Sequence, residues 1–249
     1  MRRLALAALA IVAVSTGCSH GTKQVKPTAK PATTPHTACG RARATALRQP
    51  PRNAVRGDVT GDGRSDSVAI VRVSSAPDRC GAILVVKASK RTLTRALPVG
   101  QDPEVPRLNG LAAIVPGRFH IVVTVWQGAS TAGARLFGIR DGRILPLAAP
   151  TSDGTFPYEG SVTHFNGVDC AVQPASNSIV ASGYFEKGAA GPPFGFVRHV
   201  YTVLTRRGPD RLVRAYTRAG TARWDLSRKP FDELREPQPF PSCMRARAG

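Results

Sequence analysis

Beyond residue 37 the apolar side chains come in short runs, rich in valine and isoleucine, that glycine, proline and aspartate interrupt before a helix could complete several turns. Such runs pack as strands, because β-branched side chains suit a pleated, half-buried surface. Strands are expected at Ser67–Ser74, Gly81–Ala88, Thr92–Leu97, His120–Gln127, Ala134–Arg140, Arg143–Leu147, Ser178–Phe185, Phe196–Arg206 and Leu212–Thr217. Asp141-Gly142 is a two-residue hairpin signal, and Gly208-Pro209-Asp210 is a turn between the last two strands. Helical periodicity is scarce: Ala42–Gln49, stopped by Pro50-Pro51, and Phe231–Arg235 after Pro230. The fold class is therefore all-β with antiparallel sheets. Lead strands centred near Ile70, Val123 and Val180 recur about every 50 residues, a period that suits propeller-like packing of about four small blades. A two-sheet β-sandwich explains the strand count nearly as well.

Upstream of this domain, assigned to residues 38–249, the chain has a different character. Residues 19–37, SHGTKQVKPTAKPATTPHT, carry three prolines and little apolar surface, so residues 18–37 read as an unfolded tether, semi-extended at about 3.1 Å per residue. Residues 1–17 begin with Arg2-Arg3, continue as an apolar run from Leu4 to Val14, and end in small residues before Cys18. The run is too short to span a bilayer, which takes about 20 residues. It resembles a bacterial lipoprotein signal with its lipobox, except that Ser15 stands where that family has a larger aliphatic residue. The resemblance implies cleavage before Cys18 and a lipid on that cysteine. The expected location is the outer face of the cell membrane, with plain secretion as the alternative.

Export makes the cysteines informative. Of five, Cys18 is assigned to lipid, leaving Cys39, Cys80, Cys170 and Cys243, an even set that suggests two disulfides in an oxidising compartment. Three pairings are open, and the closures nearest in sequence, Cys39 with Cys80 and Cys170 with Cys243, are favoured. No two cysteines have CxxC spacing, which argues against zinc. The net charge of +19 is carried mainly by arginines spread along the chain. It favours an anionic envelope polymer, lipid headgroups or another envelope protein as partner, and nucleic acid is not expected for an exported chain.

The sharpest chemistry lies at Asp58-Val-Thr60-Gly-Asp62-Gly-Arg64-Ser-Asp66, with oxygen-bearing side chains at loop positions 1, 3, 5 and 9 and the Arg64 carbonyl at position 7. Calcium takes six to eight oxygens, and a tight loop with alternating oxygen side chains can wrap it. An EF-hand would need glutamate at position 12, where this chain has Ala69, and a following helix, where SVAIVRVS reads as a strand. GDVTGDGRSDSVAIV resembles the calcium loop of FG-GAP or VCBS repeats, the blade modules of integrin-type β-propellers. The resemblance covers about 15 residues closely and about 45 loosely. It implies a structural calcium held by Asp58, Thr60, Asp62, Arg64 and Asp66. Thr60 stands where the family has aspartate or asparagine, which removes a charge and weakens binding. No second copy of the loop occurs, whereas members of the family carry several.

Nothing local points to catalysis. There is no G-x-S-x-G, since Gly128-Ala-Ser130-Thr-Ala132 ends in alanine. His120, His164 and His199 are scattered among strands, and Glu104, Glu159, Glu186, Glu233 and Glu236 sit in no motif. Trp126 and Trp224 would suit a sugar platform, but the alternating pattern around Trp126 places it in the core. The Tyr184–Phe196 segment reads as a long hairpin with aromatics at both ends. These residues lead to a non-enzymatic, lipid-anchored extracytoplasmic β domain with a binding or envelope-accessory role. The alternative is an exported hydrolase whose carboxylates, or a His–carboxylate pair, converge only in space.

Overall fold

The continuous apolar run Ala82–Val86 needs partners on both of its faces, and it has them. The computed structural model of the protein describes residues 39–49, 52–74, 76, 78–99, 102, 104–147, 154–160, 164–170, 177–186, 194–205, 210–222 and 238–247. Residues 1–38, which hold the expected signal and the expected tether with Cys18, and the expected helix at Phe231–Arg235 lie outside them. Helix α1 (Gly40–Arg48) precedes β1 (Val55–Gly57), β2 (Asp66–Arg72), β3 (Ala82–Lys87) and β4 (Thr92–Leu97). These strands form a four-stranded antiparallel sheet in sequence order. On β3, Ile83 and Val85 face α1 and pack on Ala42 and Ala46, while Ala82, Leu84 and Val86 face the second sheet. Double-sided burial explains why the run does not alternate. The helix ends where Gln49 turns extended (ψ 137°) ahead of Pro50.

The second sheet holds β5 (Arg107–Val115), β6 (Arg118–Gln127), β7 (Ala132–Arg140), β8 (Arg143–Pro146), β9 (Phe156–Gly160), β10 (His164–Cys170), β11 (Ser178–Glu186), β12 (Phe194–Leu204), β13 (Arg211–Ala222) and β14 (Met244–Arg247). Its order is β13-β12-β11-β10-β9-β7-β6-β5-β14, with β8 also on β7. One edge of β7 is shared, β9 pairing along Ala132–Ala134 and β8 along Phe137–Arg140. The β7–β8 hairpin turns at Asp141-Gly142 with φ of 49° and 70°, the left-handed pair that a two-residue turn requires.

The protein is all-β, as expected, and among the described residues its strands form two sheets, in keeping with the sandwich-like alternative and not with four blades. Two pairings account for the correction. β5 joins β6 to β14, and β9 carries the ladder from β7 into β10–β13, so units that would close as separate blades run on as one sheet.

Both faces of the central strands are covered. One core, including Val55, Val68, Leu84, Leu111, Ile121, Val123, Phe137 and Ile139, lies between the two sheets. The other lies on the opposite face, where Ile114, Val122, Leu136, Phe156 and Tyr158 meet Ile179, Tyr201, Val203 and Phe240. The large sheet curls to make this second core, and the Asn177 amide donates to the Ile114 carbonyl at 3.0 Å. Arg95 links the sheets at their rim, donating from β4 to the Ile144 carbonyl at 2.8 Å with its guanidinium 5.6 Å from the Phe137 ring centre. Cys39–Cys80 ties α1 to the turn before β3, and Cys170–Cys243 ties β10 to the segment entering β14. These are the two pairings nearest in sequence. Among the described residues no helix is long and apolar enough to cross a membrane.

Candidate functional site

The aspartate loop is the connection of the β1–β2 hairpin. Val59, wholly buried in the core between the sheets, pins its first turn. Gly61 and Gly63 take φ of 77° and 78°, where a side chain would be strained, and so let the loop double back. Asp58 fills the turn. Its Oδ1 accepts from the Gly61 and Asp62 amides at 2.6 and 3.2 Å and from the Thr60 hydroxyl at 3.4 Å, and its Oδ2 accepts from the Gly63 amide at 2.7 Å. Asp62 is exposed, and its Oδ1 accepts from the Arg64 amide at 2.9 Å. Asp66 opens β2 and is only 1% exposed. Its Oδ2 accepts from the Val59 and Thr60 amides, both at 3.0 Å, while its Oδ1 is buried without a hydrogen-bond partner.

The three carboxylates do not gather within 4.8 Å of one another. The one such group of three potential ligands among the described residues is Asp169 with Cys170 and Cys243, whose sulfurs are committed to a disulfide. Calcium holds its ligands at about 2.3–2.6 Å, so two ligand atoms cannot stand more than about 5 Å apart. The donor set is chemically right for a hard cation, and Asp66 Oδ1 lacks a partner that such an ion would supply.

A second polar centre touches the loop. The backbone amide of Phe119 donates to the Asp58 carbonyl at 2.8 Å, and a side chain at Gly61 would come within 3.7 Å of Arg118 Cβ. The stem of Arg118 therefore lies on the loop, and its guanidinium donates to both oxygens of Asp210 at 2.7 and 2.6 Å. His120 Nε2 stands 3.0 Å from Asp210 Oδ2, and Arg140 donates to Oδ1 at 3.2 Å. An ionised carboxylate only accepts, so His120 carries its proton on Nε2 in this bond. Its Nδ1 is buried without a partner. Gly138 leaves room, since a Cβ there would lie 3.3 Å from Asp210 Oδ2. Burial alone would raise the Asp210 carboxyl. The hydrogen bond and charge of His120, the charge of Arg118 and the hydrogen bond of Arg140 outweigh it and hold the group below the usual aspartate range.

The remaining polar residues stay dispersed. His164 Nε2 lies 3.4 Å from the Thr131 hydroxyl, and His199 Nδ1 lies 2.8 Å from the Thr217 hydroxyl. Burial and then Arg214 lower His199. Glu159 takes a left-handed backbone (φ 69°), and burial raises its carboxyl more than Arg107 lowers it. Glu104 is exposed, Glu186 lies on β11, and Glu233 and Glu236 fall outside the described residues, as do His20, His36 and Trp224. Beside the second disulfide, Asp169 Oδ1 accepts from the Cys170 and Ser242 amides at 2.8 and 2.9 Å, and its Oδ2 accepts from the Ser242 hydroxyl. Trp126, expected in the core, is exposed.

Sequence reasoning found the loop but not the cluster at Asp210. Arg118, His120 and Arg140 lie 92, 90 and 70 positions from Asp210, so no local pattern announces it. No protein-family model, curated protein or solved structure matches the chain.

Proposed function

We propose that the protein is a lipid-anchored, extracytoplasmic β domain with a non-enzymatic binding role, whose Asp58–Asp66 loop takes a structural calcium ion. The observation that carries the calcium reading is Asp66. A carboxylate oxygen held out of water with no donor costs a few kcal/mol or more. A cation beside Oδ1 removes that cost. Asp58, the Thr60 hydroxyl, Asp62 and the Arg64 carbonyl are the loop oxygens that would share the ion, once the loop draws its carboxylates together. The ion supplies charge neutralisation and no chemistry of turnover. It would couple the loop to the inter-sheet core through Val59.

Two disulfides mark an oxidising compartment. With the lipobox-like Cys18 and the proline-rich tether, they support display outside the membrane. The His120–Asp210 pair is the arrangement that the hydrolase alternative would need. His120 is 0% exposed, and Asp210 is enclosed by two guanidinium groups. That enclosure supports reading the pair as a clamp between β6, β7 and β13, because a general base must reach its substrate's proton.

Thermal melting of the purified domain, with disulfides intact, tests the calcium reading. Excess calcium should raise the midpoint relative to chelator, by mass action on the folded state, and magnesium at the same concentration should do so less. Identical midpoints in calcium and chelator would overturn the calcium assignment.

A further inference from the structure

Strict alternation along β6 would bury Trp126. Val122 and Thr124 point into the core on the curled side of the large sheet, where Thr124 Oγ1 lies 2.6 Å from the Tyr158 hydroxyl. Between Thr124 and Trp126 the register against β7 slips, so Trp126 pairs with Gly133. The bulge leaves Val125 as the extra residue and turns Trp126 onto the opposite face of the sheet, which is what bulges beside binding sites do. Trp126 is 37% exposed there, and it is the one aromatic residue among the exposed large apolar side chains described.

The ring is seated as well as exposed. A Cβ on Gly133 would fall 2.1 Å from indole Nε1, 2.3 Å from Cε2 and 2.8 Å from Cδ1, so the pyrrole half of the ring occupies the space a side chain would need. Nε1 donates to the Thr155 hydroxyl at 3.4 Å. On the far side of Gly133 stands Pro157 of β9, also exposed. The indole thus covers the buried Gly133, and Trp126 and Pro157 are the exposed side chains on either side of it.

The geometry points to the exposed Trp126 indole, seated on Gly133 with Pro157 beside it, as a stacking platform for a sugar ring of an anionic glycan. A rigid aromatic face offers large contact area at low entropic cost, and its negative π-surface favours the polarised C–H face of a pyranose. The proposed cleavage before Cys18 removes Arg2 and Arg3 and leaves 33 basic against 16 acidic residues, a net charge of +17 that favours an acidic polymer over a neutral one. The choice of an envelope glycan rests on the extracytoplasmic reading above, whereas the platform itself does not depend on calcium or on the anchor.

Tryptophan fluorescence and calorimetry on the purified chain test it, with hyaluronate oligosaccharide as the acidic glycan, dextran oligosaccharide as the neutral one and polyphosphate as charge without a ring. Each titration is run in calcium and in chelator, so that a failed calcium assignment leaves the result readable. Hyaluronate should shift the fluorescence and bind more tightly than dextran. Its affinity should fall about tenfold in Trp126→Ala and less in Trp126→Phe, which keeps an aromatic face. Polyphosphate affinity should be the same in all three proteins. Should Trp126→Ala fail to fold, Trp126→Leu carries the comparison. Equal hyaluronate affinity with and without the indole would overturn the proposal. So would loss of self-association in the variant without loss of glycan binding, which would make a second copy the occupant.

Discussion

Arg118 and Asp210 stand 92 positions apart in the chain and meet through contacts of 2.7 and 2.6 Å, one nitrogen to both carboxylate oxygens. The bond ties the start of β6 to the residue that leads into β13, and the stem of the same arginine lies on the aspartate loop. Removing one member of a buried ion pair strands the others. Asp210→Ala leaves two guanidinium groups and His120 without their acceptor and should cost about 3 kcal/mol or more in urea unfolding. Arg118→Met keeps the stem on Gly61 and should cost less, because Arg140 and His120 still serve Asp210.

The same carboxyl makes stability depend on pH. The folded state holds Asp210 below its ordinary range, so the unfolded chain binds more protons as the solution is acidified. The contribution is fully present above the unfolded value of about 3.9 and is lost as pH falls through the folded value. Urea midpoints measured downward from neutral pH should drop more steeply at the acid end in the wild type than in Asp210→Asn.

Each disulfide closes a long loop, with sequence separations of 41 and 73. By loop-closure entropy each is worth roughly 4 kcal/mol. Replacing both members of either pair with serine should lower the midpoint. Loss of Cys39–Cys80 should loosen α1 first, seen as faster amide exchange over Gly40–Arg48, because that bond anchors the helix on β3.

Much of the fold was legible because its signals are local. Thr92–Leu97 is the strand expected from its composition, and Asp141-Gly142 turns the hairpin that the dipeptide announces. The pairing of the four cysteines followed from sequence distance. Strand order was not legible. β5 contains Asn109, Gly110 and two alanines in a nine-residue strand, so it lacks the valine-rich signature, yet its pairing with β14 and β6 is what prevents separate blades. Trp126 was misplaced for a sharper reason. A single extra residue inverts the faces of a strand, and no composition rule marks where a bulge falls. Within the loop, spacing identified the oxygen donors, but it could not show that Asp58 spends both of its oxygens on the loop's own backbone amides.

The anchor is tested separately from the domain. Cys18→Ala should move the protein from the membrane fraction to the soluble extracytoplasmic fraction while leaving the melting midpoint of the β domain unchanged. Continued membrane association of the processed variant would remove the lipid assignment.

Calorimetric titration of calcium into chelator-stripped protein, with both disulfides intact, decides the most. The proposed calcium ion beside the half-satisfied Asp66 carboxylate predicts a saturable one-to-one heat in the wild type, abolished in Asp66→Asn and weakened in Asp62→Asn. A flat titration in the wild type, or an undiminished one in Asp66→Asn, would contradict it.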